Sequence, residues 1–198
     1  MNCRHRSLII AVSILALAAS PIVAQDGLLE DGATSLYEVG DLSPSLGIGF
    51  GLNFSPVFYP GVELILSETN IEDTLPLSFG VAARGYLNIY RTEVFFGETW
   101  GWTSYGAGGF GSAHLSFDEV DADVEFLSNF DFYVMLGIGF RVFDYTGDET
   151  YWNERDDFDL FFASIGGTSY FLSERLAIML EGSYWGIGGA TIGLRLVL

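Results

Sequence analysis

The chain has 198 residues, of which 49% are hydrophobic and 16% are aromatic, and its formal net charge at pH 7 is −18. An apolar content this high excludes an intrinsically disordered chain in spite of the charge. The excess of carboxylates argues against nucleic acid and anionic lipid surfaces as partners, and the length suits a single domain.

Residues 1–24 are predicted to be a secretory signal peptide. Arg4 and Arg6 precede an apolar run from residue 8 to residue 19, and Pro21, Ile22, Val23 and Ala24 follow it. A transmembrane helix needs about 18 or more apolar residues, so we expect cleavage after Ala24. Cys3 leaves with this leader, so the exported chain has no cysteine to form a disulfide. Residues 25–35 are predicted to be a flexible lead-in, and residues 36–198 form the folded domain.

The folded domain alternates apolar residues with small, polar or charged ones, the period of a β-strand. In chain order the alternation predicts strands over residues 45–55, 62–66, 77–87, 93–102, 105–117, 130–140, 159–172, 176–184 and 191–198. Pro56 and Pro60 are expected to bracket a turn, because proline has no N–H for a central strand, and another tight connection is predicted at residues 88–91. A weaker stretch, residues 36–41, is a candidate for one more strand.

The polarity of the two faces indicates where the domain lies. Residues 130–140 place phenylalanines, Val134, Leu136 and Ile138 on one face, and Asp131 and Arg141 belong to the other. A membrane β-barrel needs an apolar outside and a polar inside, whereas a soluble barrel would put the apolar set inside. We therefore predict an all-β fold, a closed antiparallel up-and-down transmembrane β-barrel. The strand number must be even, and we favour ten, with eight if two of the predicted segments are one strand.

Many carboxylates cluster in the predicted connectors. Counting back from a C-terminus on the inner side places the acidic connectors near residues 67–75, 96–103 and 144–157 together on the outer side. The outer-loop aromatic residues are Trp100, Trp102, Tyr151 and Trp152. Interfacial girdles explain them, and carbohydrate binding is an alternative. We predict no metal site, since no glycine-turned calcium loop follows the acidic residues 121–125, and no cofactor.

Several ionisable residues fall on inward positions, where they are predicted to form a charge network in the lumen: Glu63, Arg84, Asp131, Arg141, Glu181 and Arg195. Such pairs fill and rigidify a small barrel, whose interior is mostly packed with side chains, or they line a narrow polar conduit. Because Glu181 and Arg195 lie on consecutive predicted strands, we predict that they pair laterally.

The last strand carries the most specific pattern. Gly193, Leu194, Leu196 and Leu198 belong to a strictly alternating stretch that ends the chain. This stretch and the polarity of most of the exported chain resemble the small outer-membrane β-barrel family of double-membraned bacteria. The terminal stretch is similar to that family's assembly signal, with Leu198 where the family has an aromatic residue. The resemblance implies an outer-membrane location, contact with outer-membrane lipid and insertion by the barrel-assembly machinery.

His114 is the only histidine of the exported chain, and Ser116 lies two residues later. This pair is similar to the His-x-Ser of outer-membrane lipid A deacylase barrels, which implies a base beside a serine nucleophile. The strand phase points His114 into the lumen, so we expect an ordinary lumen or rim histidine and no enzyme.

The function predicted from the sequence is a structural or surface-interaction role, carried by acidic, aromatic-rich outer loops that could meet an extracellular ligand. Three alternatives stay open: a narrow channel through the charge-lined lumen, a lipid A-modifying enzyme, and a soluble periplasmic ligand-binding barrel. No oligomeric state is predicted.

Overall fold

A computed structural model describes residues 35–50, 55–71, 75–93, 99–116, 127–146, 157–184 and 189–198. Within them each strand pairs antiparallel with the next one along the chain, and the first pairs with the last to close a barrel. The strands are β1 (Leu42–Phe50), β2 (Pro56–Ile71), β3 (Leu75–Glu93), β4 (Thr99–Ser116), β5 (Phe130–Thr146), β6 (Asp157–Ser173), β7 (Leu176–Tyr184) and β8 (Gly189–Leu196). The described residues include no helix that is both long and apolar enough to span a membrane.

The favoured count of ten strands is wrong, because the barrel closes with eight. The predicted segments 93–102 and 105–117 do not form two strands: Glu93 ends β3, and Thr99–Ser116 is the single strand β4. Trp102 and Ser104 are both buried, so one alternation continues through the aromatic stretch into the serine-rich one. Residues 36–41 are not a strand but lie against the lumen, as described below.

Two predicted turns also lie inside strands. Residues 88–91 belong to β3, and Pro56 and Pro60 both belong to β2, where they face Phe50 and Leu46 of β1. The pairing of β2 with β3 skips Pro60, so its missing N–H falls at a gap in the ladder. Gly85 of β3 lies beside the ring, and a Cβ on Gly85 would meet the Pro60 Cγ at 3.4 Å, an ordinary van der Waals distance.

The predicted inside and outside of the barrel are confirmed. On β5, Leu136 and Ile138 are 58% and 65% exposed, whereas Tyr133 and Met135 are fully buried. On β8, Ile192 and Leu194 face outward and Arg195 is buried. The exterior is therefore apolar and the lumen holds the polar and charged side chains.

Both ends of the barrel can be defined by the strands. The backbones of Leu42 and Leu198 exchange hydrogen bonds of 3.4 and 3.0 Å, so β1 begins where the chain ends, and we call this the terminal end. β2 also ends there, as does β4, whereas β3 and β5 end at the opposite, distal end. The connector at residues 72–74 therefore joins strands at the terminal end, away from those at 94–98 and 147–156. The expectation that all three acidic connectors share one side is wrong, because merging two predicted strands into β4 reverses the direction of every strand before it.

Three layers fill the lumen. At the terminal end Tyr37 packs with Ile65, Phe171, Ala177 and Val197. Toward the distal end lies an aromatic layer formed by Val57, Tyr59, Ala82, Tyr86, Trp102, Phe110, Tyr133, Met135, Ala163 and Ile165. Charged side chains lie between them, since they contact Tyr37 from one layer and Tyr133 from the other.

Candidate functional site

The charged layer brings together six ionisable side chains from six strands, which we call the charge cluster: Glu63, Arg84, His114, Asp131, Glu181 and Arg195. None of them is more than 3% exposed. Five belong to the charge network predicted from the sequence, and His114 joins them because it shares their inward phase. A charge buried this deeply must be paired and hydrogen-bonded to be tolerated.

Arg195 lies at the centre of the cluster. Its Nη1 donates to the Tyr37 hydroxyl at 2.7 Å and to Asp131 Oδ2 at 3.2 Å, and its Nη2 lies 3.5 Å from Glu63 Oε2. The guanidinium carbon stands 4.5 Å from the centroid of the Tyr133 ring. The last strand is thereby tied to β2 and β5 through the interior as well as to its two neighbours through the ladder.

His114 bridges two carboxylates. Its Nε2 lies 2.8 Å from Glu63 Oε1, and its Nδ1 lies 3.0 Å from Asp131 Oδ1. Both ring nitrogens can donate only when the imidazole is protonated. With His114 as an imidazolium, three positive side chains balance three negative ones in the cluster.

Glu181 and Arg195 do not pair with each other as predicted. The register places Glu181 opposite Thr191 and Arg195 opposite Ala177. Glu181 Oε1 instead accepts from Arg84 Nη2 at 3.2 Å and from the Tyr133 hydroxyl at 2.9 Å. The charges pair across the lumen because inward side chains on distant strands converge there.

Arg141 also differs from the prediction, because it lies outside the charge cluster. It is only partly buried near the distal end, where it forms an ion pair with Asp159, the residue opposite it on β6. Its guanidinium carbon lies 4.9 and 5.7 Å from the ring centroids of Phe143 and Phe161. Arg141 therefore lies among aromatic side chains at the distal opening of the barrel, which we call its mouth.

One glycine makes room for the cluster. A Cβ on Gly61 would lie 2.5 Å from Arg84 Nη1 and 2.7 Å from Ser45 Oγ, which is too close for any larger residue. The Arg84 side chain can cross β2 toward Glu181 only because position 61 has no side chain.

The N-terminal strap, residues 35–41, is the functional element that the sequence interpretation missed. Tyr37 is 1% exposed, and its hydroxyl donates to Asp131 Oδ2 at 2.9 Å. Its ring meets His114 edge to face, with centroids 5.0 Å apart. Burial is the largest influence on the Tyr37 phenol and raises its pKa well above the ordinary value, so the phenol stays neutral and able to donate. The Gly40–Asp41 pair, a common turn signal, was the available clue that the chain bends here.

Two of the predicted outer-loop aromatics lie in β4. Trp102 is not in a loop: it is buried and stacks on Tyr90 with a centroid distance of 5.8 Å. Trp100 belongs to the same strand, and the predicted Tyr151 and Trp152 lie outside the described residues, as does the acidic stretch 121–125. Within the described ranges, no group of three or more His, Cys, Asp or Glu side chains is arranged to hold a metal ion.

The predicted assembly residues lie on β8 and just beyond it. Leu194, Leu196 and Leu198 face outward with exposures of 53%, 45% and 70%. A Cβ on Gly193 would lie 2.6 Å from Met179 Cε, so this position faces the lumen. The apolar side chains of the stretch therefore lie on the outer surface of the barrel, where lipid or another protein could contact them.

His114 and Ser116 are both buried, and each has other hydrogen-bond partners in the structure. The two His114 nitrogens are occupied by carboxylates, and the Ser116 hydroxyl lies 3.1 Å from the Ser35 hydroxyl and 3.2 Å from the Leu36 N–H. A base for a serine nucleophile needs a free ring nitrogen within hydrogen-bond reach. The Ser116 hydroxyl therefore contacts the N-terminal strap.

Comparison with known proteins finds no matching family model and no matching curated protein. Solved structures are similar to it at low identity. Ail, the attachment invasion locus protein of Yersinia pestis, is 10% identical, with a TM-score of 0.49 over 81% of this chain and 100% of that one. The outer membrane enzyme PagL is 13% identical, with a TM-score of 0.46 over 79% and 98%. A de novo designed transmembrane β-barrel is 14% identical, with a TM-score of 0.46 over 82% and 98%.

Proposed function

We propose that the protein is an outer-membrane β-barrel with a closed lumen, and that its role is structural or in interactions at the cell surface. The observation that supports this proposal is the apolar exterior. Leu46, Ile138 and Phe162 are 60%, 65% and 85% exposed, as are many large apolar side chains around the barrel. In water, such an apolar surface would cause the protein to aggregate, whereas it is compatible with the hydrocarbon of a membrane. A closed barrel also pairs all the backbone hydrogen-bonding groups of its strands, as a membrane requires.

The buried charge cluster supports a closed barrel over a channel. An open aqueous pore exposes the charges that line it, but each member of the charge cluster is buried and held by an opposite charge. The aromatic layer adds a second barrier distal to the cluster. We therefore rank a narrow channel below a structural or interaction role, and we assign no catalytic step to His114 or Ser116.

The partners in this proposal are outer-membrane lipid, the barrel-assembly machinery acting on Leu194, Leu196 and Leu198, and an extracellular ligand. With the terminal end in the periplasm, β3 and β5 end on the outer side of the membrane. The sequences that follow them, residues 94–98 and 147–156, contain Phe95, Phe96, Tyr151, Trp152 and several carboxylates, which suits contacts with a surface ligand.

Heat-modifiability tests the proposal first. The exported chain is folded in detergent micelles, and its gel mobility is compared before and after boiling. We expect a shift on boiling, together with β-rich circular dichroism. A chain that is folded and soluble without detergent would instead favour a soluble periplasmic barrel.

Planar-bilayer recording then separates the closed barrel from the channel. We expect no steady conductance from the folded protein. Reproducible conductance that changes when Arg84 is replaced by methionine would establish the channel and reject the closed lumen.

A further inference from the structure

The N-terminal strap is attached to the barrel in a different way from every strand. Its backbone joins the barrel through few hydrogen bonds, from Gly40 N to Ile65 O and from Ile65 N to Asp41 O, each 3.0 Å long. Its other attachments are side-chain contacts, including those of Ser35 with Ser78 and Ser116 at 2.6 and 3.1 Å. Segments with few backbone ladder bonds open at lower free energy than the core.

A turn at residues 38–41 directs the strap into the lumen. Asp41 N donates to Glu38 O at 3.1 Å, and Glu38 N donates to Asp41 Oδ2 at 2.8 Å. Gly40 has φ +103°, which is the left-handed conformation required near the end of such a turn. The bend turns the chain before β1 and provides a hinge at residues 38–41.

Tyr37 is the anchor of the strap. Its hydroxyl accepts from Arg195 Nη1 at 2.7 Å and donates to Asp131 Oδ2 at 2.9 Å. Arg195 and Asp131 also hold Glu63 and His114, so one phenol contacts the centre of the charge cluster. Hydrogen bonds to buried charges are among the strong ones.

We propose that residues 35–41 form a detachable strap, latched by the Tyr37 hydroxyl, that controls access of water and small solutes from the terminal end to the charge cluster. The latched strap covers Ser116, Asp131 and Arg195, all buried in the structure. When the strap leaves, the terminal side of the cluster opens to solvent while the aromatic layer still closes the distal side. The strap acts at the terminal end of the barrel, whichever compartment that end faces.

An introduced thiol measures this access, because the exported chain has no cysteine. Ser116→Cys places the thiol beside Ser35 and the Leu36 N–H. Ser169→Cys is a second reporter: Ser169 is buried and its hydroxyl has no hydrogen-bond partner among the described residues, so this replacement breaks no bond to the strap. Each reporter is folded in micelles and treated with a small charged methanethiosulfonate reagent.

With Tyr37 present, we expect Ser116→Cys to label slowly. Tyr37→Phe keeps the ring in place and removes only the hydroxyl. Faster labelling of this variant would therefore report release of the strap, and not a cavity left by a missing side chain. We expect the rate to rise roughly tenfold or more, because the lost bonds join charged groups. Deleting residues 25–40 sets the upper limit.

Matched controls separate strap release from general loosening. Ser104→Cys lies on the same strand but within reach of Tyr86, whose hydroxyl is 3.0 Å from the Ser104 hydroxyl, on the distal side of the cluster. It should stay protected in every variant, and Tyr86→Phe should leave the labelling of Ser116→Cys unchanged. All variants are first shown to retain the gel shift on boiling.

Three results would overturn the proposal. Both terminal reporters could label fast with Tyr37 intact, which would mean that the strap does not cover the cluster. Ser116→Cys could stay slow in both the Tyr37→Phe and the deletion variant, which would mean that the strap controls nothing. Finally, Ser104→Cys could gain reactivity in step with Ser116→Cys, which would mean that the whole barrel loosens.

Discussion

The inward-facing residues of the barrel are charged in the terminal half of the lumen and mostly aromatic or aliphatic in the distal half. The terminal half holds the charge cluster, in which every charge faces an opposite one. The distal half holds aromatic and aliphatic side chains, with Arg141 and Asp159 half-exposed at its mouth. The stability of a buried charge depends on the presence of its oppositely charged partner, whereas the stability of an aromatic layer depends on how well its side chains fill the space. The two halves should therefore respond differently to the same kind of substitution.

The largest expected difference is between two arginines. Arg195→Met leaves Asp131 and Glu63 with an uncompensated buried charge, so it should lower the free energy of unfolding by about 3–5 kcal/mol. Arg141→Met is the matched control, and its partly exposed ion pair should contribute about 0–1 kcal/mol. Urea unfolding in phospholipid vesicles measures both. Equal losses would mean that burial does not distinguish the two sites.

A charge on the outer surface tests the contrast between lumen and exterior. Leu136→Arg places a cation on the apolar face near the middle of β5, and it should cost about 2–4 kcal/mol in lipid. Leu136→Ala controls for the lost leucine. An arginine tolerated as well as an alanine at this position would mean that this face does not contact hydrocarbon.

Two tyrosine hydroxyls, one bonded to the charge cluster and one bonded to a neutral residue of the distal half, can be removed in the same way. Tyr133→Phe removes a hydroxyl that donates to Glu181, and a bond to a charged group contributes about 1.5–3 kcal/mol. Tyr86→Phe removes one bonded to the neutral Ser104, for which about 0.5–1.5 kcal/mol is expected. The two unfolding midpoints in urea should differ accordingly. A larger loss from Tyr86→Phe would reverse the proposed contrast between the halves.

A glycine pair tests the packing around Arg84. Gly61→Ala forces a Cβ within 2.5 Å of Arg84 Nη1, and overpacking of this kind costs about 1–3 kcal/mol. Gly109→Ala is the control, because a Cβ there meets nothing within 4 Å. Unfolding of both variants compares them directly. If Gly61→Ala left the free energy of unfolding unchanged, the Arg84 side chain could move from its position without loss of stability.

Double-mutant cycles sharpen the comparison inside the cluster. Arg84→Met and Glu181→Met should be coupled by about 0.5–3 kcal/mol, since the two residues share a hydrogen bond. Arg195→Met and Glu181→Met should be more nearly additive, because Glu181 pairs with Arg84 whereas Arg195 pairs with Glu63 and Asp131. Stronger coupling in the second cycle would restore the lateral pair that the sequence predicted.

Local pattern was enough to predict the class of fold and the inward or outward direction of most side chains on the predicted strands. Alternation with period two placed Leu136 outside and Met135 inside, and it placed Glu63, Asp131 and Arg195 in the lumen. It failed where a boundary depends on the neighbouring strand. Pro60 is accepted within β2 because the ladder skips it opposite Gly85, and Trp102 continues β4 because its phase matches that of Ser104.

The sequence predicted most of the residues that belong to the charge cluster, but it did not predict which of them pair with each other. Inward phase is a property of one strand, so five of its six charges could be found from the sequence. Which charge meets which depends on the register of all the strands and on how side chains reach across the lumen. That is why Glu181 pairs with Arg84, and why His114 lies between Glu63 and Asp131.

By itself the sequence determined that this protein is a barrel with an apolar exterior and a charged interior, because side-chain alternation is local and needs no partner. Only the tertiary structure decided the closure at eight strands, the pairing of the buried charges and the return of Tyr37 into the lumen. Each of these requires residues far apart in the chain to meet, and the free energy of such meetings depends on the geometry of the whole closed sheet.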